Sequence, residues 1–434
     1  MSNYVRGRLE ALGDAFWLRP ALLVLLGVLA GEGAVSLEIA GWPDAVLSAG
    51  WLYAGGESGA RALLSAIASS TIGVAGTTFS ITVAALSLAS GQMGPRLLRN
   101  FIRDAGNQIA LGIFLGTFAY ALIVLRTVRS TDEGAFVPHL AVTGALVLAL
   151  LSVATLVWFV HHVASGINVE TVIDLVHRDL QEAVGRLTLD CPDAQFPAAA
   201  PSGSPVRLET SGYLRALDED ALADWAANAG RTLILRVRPG DYVFPGVPIA
   251  EVTPGELVEA EEQLRNAMVL GPRQAAAQDL EFAVRQLAEV AVRALSPGIN
   301  DPFTAVAVLD RFGDVLCWMT RRHLPGPVVL RDGQAVLFRR AIDYDGLLDA
   351  MFHMIRQAGA SSAAVIVRLV EVLGIALEAE TNPVRRTALR RHADLALAAG
   401  QRELHEPASV EDLRVRHTRC YETGLSQDQD EIAQ

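Results

Sequence analysis

The sequence predicts an α-helical membrane protein with an α+β cytoplasmic region: a four-helix transmembrane bundle, a small β half-barrel, then a mainly helical C-terminal domain. Three observations predict it. Of 434 residues 51% are apolar and only 19% charged, yet the long apolar runs all lie before residue 164. Most of the charge lies after it. Between residues 206 and 252, short β-branched strands alternate with Pro-Gly turns, and helical periodicity dominates the chain beyond them.

Four segments have the length and apolarity of transmembrane helices, at 16–40, 63–90, 109–125 and 140–163. The first has a long polar lead containing Glu10 and Asp14, so it reads as an uncleaved anchor. With the N-terminus inside, Arg6, Arg8, Arg19, Arg96, Arg99 and Arg103 are cytoplasmic, against Arg61, Arg126 and Arg129 outside. This balance predicts that the N-terminus and the C-terminal domain are both cytoplasmic. Trp42, Trp51 and Tyr53 then sit at the outer interface, and Trp17 and Trp158 at the inner one.

The second span contains SSTIGVAGTTFSITVAALSLAS, residues 69–90, in which nine residues are Ser or Thr and two are Gly. At about 100° per residue, Gly73, Thr77, Ser80, Ala84, Ser87 and Gly91 fall along one line. Thr78 and Thr82 lie opposite, where their hydroxyls can bond to the preceding turn. A small, weakly polar face serves either close helix packing or the lining of a water-filled path. Two other spans carry small residues at the same spacing, Gly27 with Gly31 and Gly112 with Gly116. Glu32 is the one acidic residue well inside a span. It is either a functional ionisable group or the outer end of the first helix reaching water.

Arg96, Arg99 and Arg103 share one side of a short helix predicted over 95–104. Snorkelling onto anionic lipid explains them, and a basic ring at a pore mouth is the alternative. His161 and His162 stand at the membrane edge. An exit helix is predicted through 164–190, on which Glu170, Asp174 and His177 share a face. That spacing could hold a metal, but no fourth ligand is near, so a solvated acidic face is the reading and no metal or other cofactor is assigned.

A Pro/Ala/Ser linker occupies 191–205, and the compact β piece 206–252 comes next. Within it RPGDYVFPGVPIAEV is similar to the biotinyl/lipoyl-like half-barrels, with Gly240, Asp241, Val243, Gly246, Pro248 and Ile249 matching. All 36 basic residues are Arg, so no lysine is present to carry a swinging cofactor or to form a Schiff base. The resemblance therefore implies a lipoyl-like structural adaptor.

A helical cytoplasmic domain is expected over 253–424, with a hairpin near 327–339 and a disordered tail over 425–434. Its first clear helix is 274–295. Pro297, Gly298, Asn300, Asp301 and Pro302 form a helix-to-helix corner, in which Asp301 caps and Pro302 takes the first helical position. Cys191, Cys317 and Cys420 are widely spaced and read as reduced thiols.

Long phrases of this chain resemble one family. TTFSITVAALSLASGQMGPRLLRNFIRDAGNQIALGIFLGTFAYALIVLRTVR, then GYLRALD with RPGDYVFPG, then QDLEFAVRQLAEVAVRALSPGINDPFTA, are similar to the bacterial predicted membrane proteins catalogued as a domain of unknown function, number twenty-two fifty-four. The resemblance implies a bacterial inner-membrane protein with a cytoplasmic domain, and no catalytic residues.

The net charge of −12 argues against nucleic acid as a partner. No nucleophile motif, zinc-protease motif or phosphate loop points to an enzyme. The expected partners are the lipid bilayer, further copies of the chain and ions. The function the sequence favours is a homo-oligomeric channel or pore whose second span lines the path and whose cytoplasmic domain assembles or gates it. The alternative is a non-conducting membrane-anchored scaffold or sensor that binds a protein partner.

Overall fold

The computed structural model describes residues 17–40, 52–93, 104–131, 134–166, 168–192, 200–254, 257–274 and 278–432. The chain divides into two compact units, Met1–Thr171 and Val172–Gln434.

The first unit holds four helices long and apolar enough to cross a membrane. They are α1 (Leu18–Ile39), α2 (Glu57–Met93), α3 (Ala105–Thr127) and α4 (His139–Gly166). Between the last two lies a short hairpin, β1 (Arg129–Thr131) and β2 (Gly134–Phe136), which the sequence did not announce. The helix α2 begins well before the predicted span, because Glu57 opens its first turn and pairs with Arg61 at 3.0 Å. The opening of α3 is set by Asp104, whose Oδ1 accepts from the backbone N–H of Gly106 and Asn107.

Glycine decides how α1 and α3 cross. A Cβ at Gly27 would fall on the Gly116 carbonyl, one at Gly116 would lie 2.8 Å from the Leu23 carbonyl oxygen, and one at Gly112 would overlap the Leu23 side chain. Both small-residue pairs are thus spent on close helix packing inside one chain. Around this contact Ala121, Val124, Val142, Ala145 and Leu64 form a buried core. Leu25, Leu26 and Leu29 of α1, and Leu150 and Val157 of α4, point outward, as an acyl environment requires.

The second unit begins on α5 (Val169–Leu187), whose apolar stripe Ile173, Val176, Leu180 and Val184 is buried. Next come β3 (Ser204–Arg207), β4 (Gly212–Leu217), α6 (Glu219–Asn228), β5 (Thr232–Leu235), β6 (Tyr242–Val243), β7 (Pro248–Thr253), α7 (Leu257–Ala267) and β8 (Met268–Gly271). After these come α8 (Leu280–Ala294), α9 (Pro302–Met319), β9 (Val328–Arg331), β10 (Gln334–Phe338), α10 (Tyr344–Gly359), α11 (Ala363–Ala379), α12 (Pro383–Glu403) and α13 (Pro407–Ile432).

The strands form a five-stranded sheet in the order β3-β7-β5-β10-β9 and a three-stranded sheet in the order β6-β4-β8. One pairing is parallel, β5 with β10, which sets Leu337 against Leu233. This corrects the sequence reading of the hairpin as part of a helical domain. Leu337, with Leu264 of α7, is buried in the same core as Leu214, Leu233 and Ile249, so the β region draws on chain well beyond residue 252. The hairpin's own turn was legible, since Asp332 and Gly333 have φ of +50° and +77°, as a two-residue turn between strands demands.

Repeated capping lays out the later helices. Asp279, Asp301, Asp343 and Asn382 accept from first-turn amides of α8, α9, α10 and α12, and Pro302 and Pro383 open two of these helices. Because Asp279 caps at that point, α8 starts at Leu280 and not at 274. The last helix runs on to Ile432, so residues given to a disordered tail continue a helix. Beyond Gly424 no Pro or Gly interrupts it.

Candidate functional site

The candidate site is the small-residue face of α2. Gly73, Thr77, Ser80, Ala84 and Ser87 are all exposed, and Gly91 lies in the helix's last turn. Nothing comes within 4 Å of a Cβ built at Gly73 or Gly76. The opposite side of the helix packs into the bundle through Leu64, Ile67, Ala68, Thr71, Ala75, Thr78 and Thr82. So α2 grips its own chain with one side and turns a slender side outward.

The bare face is longer than the line from Gly73 to Gly91. Ala62, Ala66, Ser69 and Gly76 fall on the same line and are exposed too. From Ala62 to Ser87 it runs about 37 Å, enough to cross the hydrocarbon core. The signal is present in the sequence, because the same 100° step that carries the line forward from Gly73 also extends it backward. Ile72, Phe79 and Val83 flank one side and Ile81 the other, all exposed.

Hydroxyls on this face bond to their own helix. Ser69 Oγ donates to the Ser65 carbonyl at 2.7 Å, Thr77 Oγ1 to Gly73 at 3.0 Å and Ser80 Oγ to Gly76 at 2.9 Å. Each keeps lone pairs to offer outward. On the packed side Thr82 Oγ1 donates to the Thr78 carbonyl at 2.8 Å, as the sequence suggested, whereas Thr78 Oγ1 is buried with no partner among the described residues.

The other singled-out residues do not converge on this face. Glu32 lies within α1, which continues to Ile39, so the Gly31-Glu32-Gly33 stretch does not end the helix. A Cβ at Gly31 would lie 3.1 Å from Ile123, so that glycine serves packing. Glu32 Oε1 meets Arg126 Nη2 at 2.5 Å, and both remain largely exposed. A second acid of α1, Glu38, accepts from the Leu140 N–H at the start of α4. At the other end of the bundle His162 Nε2 lies 2.8 Å from Asp104 Oδ2, and its ring stacks on Trp158 at 4.7 Å. Arg96, Arg99 and Arg103 lie outside the described residues, as do Trp42 and Trp51.

In the second unit Asp174 receives Arg311 at 2.7 Å, and that bond holds its carboxyl below the usual range. His177 Nε2 lies 3.0 Å from Asp314, while burial lowers the proton affinity of its ring. These side chains spend themselves on packing α5 against α9, and among the described residues no cluster of three metal-ligating side chains occurs. At the corner Asp301 Oδ1 accepts from the Phe303 and Thr304 amides and Oδ2 from the Thr304 hydroxyl at 2.6 Å. Asn300 has φ of +51°, and the Asp301 N–H closes onto the Ala294 carbonyl at 2.8 Å. Pro297 and Gly298 fill the turn between the helices. Every one of these groups serves the corner itself.

Four apolar spans with an α+β region beyond them define a multi-span membrane protein. The family model for "Predicted membrane protein (DUF2254)" matches residues 13–374, and the chain belongs to that family. Similar relatives include uncharacterized proteins of Mycobacterium tuberculosis strains CDC 1551 and H37Rv and of Mycobacterium bovis. Each is 33% identical over 418 residues, covering 93% of this chain and 79% of the relative. No solved structure matches the chain.

Proposed function

We propose that the protein is a homo-oligomeric channel or pore of the bacterial inner membrane, in which α2 of each copy lines an ion path. One observation carries this reading: the small, weakly polar face of α2 points away from its own bundle along the whole span. The two glycine pairs of α1 and α3 are consumed within the chain, so this third face is the one left over. Against lipid it gains little, because Gly, Ala and Ser fill acyl space poorly, while α1 and α4 present Leu and Val there. Against identical helices around an axis it permits close approach and leaves hydroxyl lone pairs toward water.

The arginine balance puts the N-terminus and the second unit in the cytoplasm, where that unit would assemble or gate the path and its lipoyl-like strands would act as an adaptor. The reading is non-enzymatic. A non-conducting scaffold or sensor is the second reading. It is favoured by the hydroxyls of Ser69, Thr77 and Ser80 already being bonded to their own carbonyls, which makes them ready for dry packing.

Conductance separates the two. Purified protein in planar bilayers should pass ions, and Thr77→Leu or Ser80→Leu should block the current while oligomers persist on native gels. Undiminished current in both variants removes α2 from the path. Absence of current under voltage, tension and pH change leaves the scaffold.

A further inference from the structure

A guanidinium carries five N–H donors and accepts nothing, so one withdrawn from water needs acceptors. The helical part of the second unit generally supplies them. Arg368 reaches Asp310 and Glu371, Arg385 reaches the carbonyls of Met319 and Arg322, and Arg386 those of Leu377 and Glu380. Arg356, near the end of α10, is treated differently. It is 7% exposed and has no hydrogen bond or ion pair among the described residues. Its Nε is sealed from solvent and has no partner there.

The neighbours explain why it is bare. Arg356 lies one turn beyond Phe352 and two beyond Asp349, on the face of α10 that packs against α12. The Phe352 ring sits 6.0 Å from that of His392. Asp349, the acid of this face, is already taken: it accepts from Arg391 Nη2 at 2.9 Å and lies 3.4 Å from His392 Nε2. Arg391 also holds Asp345. Burial disfavours the Arg356 charge first, and Arg402 and Arg391 add to this, with only Asp349 opposing. His392 contributes a second unmet group. Its Nε2 faces Arg391 Nη2 at 3.1 Å and accepts there, so in the neutral ring Nδ1 carries the proton, and Nδ1 is buried without a partner among the described residues.

We propose that Arg356 anchors an anion-binding site between α10 and α12 that takes a phosphate-class oxyanion, with Arg402 as its second cation. A guanidinium whose fork of donors has no acceptor among the described residues fits two oxygens of one tetrahedral anion. Two cations without a free carboxylate between them favour an anion carrying close to two charges at neutral pH. The phosphate is either free in solution or part of a lipid headgroup, and both present the same oxygens to the fork.

The test uses the full chain in phosphatidylcholine nanodiscs, with inorganic phosphate titrated against chloride at fixed ionic strength. Wild type should bind phosphate saturably and unfold at a higher temperature as it does so. Arg356→Met should lose that shift, yet in chloride it should unfold no earlier than wild type, since it removes an unpaired buried charge. Arg402→Gln, an exposed change, should weaken phosphate binding about tenfold, the effect of one charge-assisted bond. An Arg356-dependent rise caused by adding phosphatidylglycerol to the discs, without one from inorganic phosphate, assigns the headgroup as the source. Equal responses in wild type and both variants, or no response of wild type to either phosphate source, would overturn the site.

Discussion

Gly27 and Gly73 are the same residue in the same kind of helix, and the fold uses them in opposite ways. A Cβ at Gly27 has nowhere to go, whereas one at Gly73 meets nothing. Gly27→Leu is therefore expected to cost the folded membrane unit at least ~2 kcal/mol through overpacking. Gly73→Ala should leave the isolated chain as stable as before, because Ala is the better helix former. Thermal unfolding in detergent compares the two, and equal losses would contradict the crossing described. His392 offers a second prediction at this scale. Burial holds its ring down at about 4, against an ordinary value of 6.5. The unfolded chain then binds the extra proton between those values, so the contribution is whole above pH 6.5 and drains away as pH falls toward 4. Between pH 7 and pH 5 the second unit should lose about 2 kcal/mol through this group, and His392→Asn should flatten the dependence measured by denaturant unfolding.

The two faces of α2 make a prediction at the scale of the element. Cysteines placed at Ser69 or Ser80 should form disulfides between copies on mild oxidation, whereas one at buried Thr71 should not. Crosslinking from Thr71→Cys alone would mean that the helix is turned the other way. How much of each element was legible depended on whether its reason was local. Periodicity found the four apolar helices. A capping residue found the corner at Asp301. What periodicity missed was non-local. The strand β8 pairs with β4, more than fifty residues earlier, and β10 pairs with β5 across an even longer separation. Neither short strand announces a partner in its own residues. The unmatched Arg356 was equally invisible, since an arginine's lack of an acceptor is a property of the packing around it. Of the two readings of Glu32, the helix-end one falls, because the helix runs on to Ile39 although Gly31 and Gly33 look like a stop.

At the scale of the whole molecule, two of the three cysteines report on topology and on folding. Cys191 is exposed, and Cys420 is buried with its thiol pushed up to about 11 by that burial. A maleimide at neutral pH should label Cys191 within minutes and leave Cys420 untouched until the second unit unfolds. In intact cells a membrane-impermeant reagent should label neither, and permeabilised cells should expose Cys191. Labelling from outside would reverse the orientation inferred from the arginines.

The pairing of β5 with β10 also bears on biosynthesis. Leu233 meets Leu337, so about a hundred residues must leave the ribosome before the central strand of the larger sheet acquires its second neighbour. At ordinary elongation rates that is a wait of roughly 5–20 s. By then the four apolar helices, which precede it in the chain, have already been made, while the nascent strand still shows an open flank. Such a flank invites pairing with other polypeptides. Late translation is therefore a stage at which a chaperone covering this strand would protect the chain.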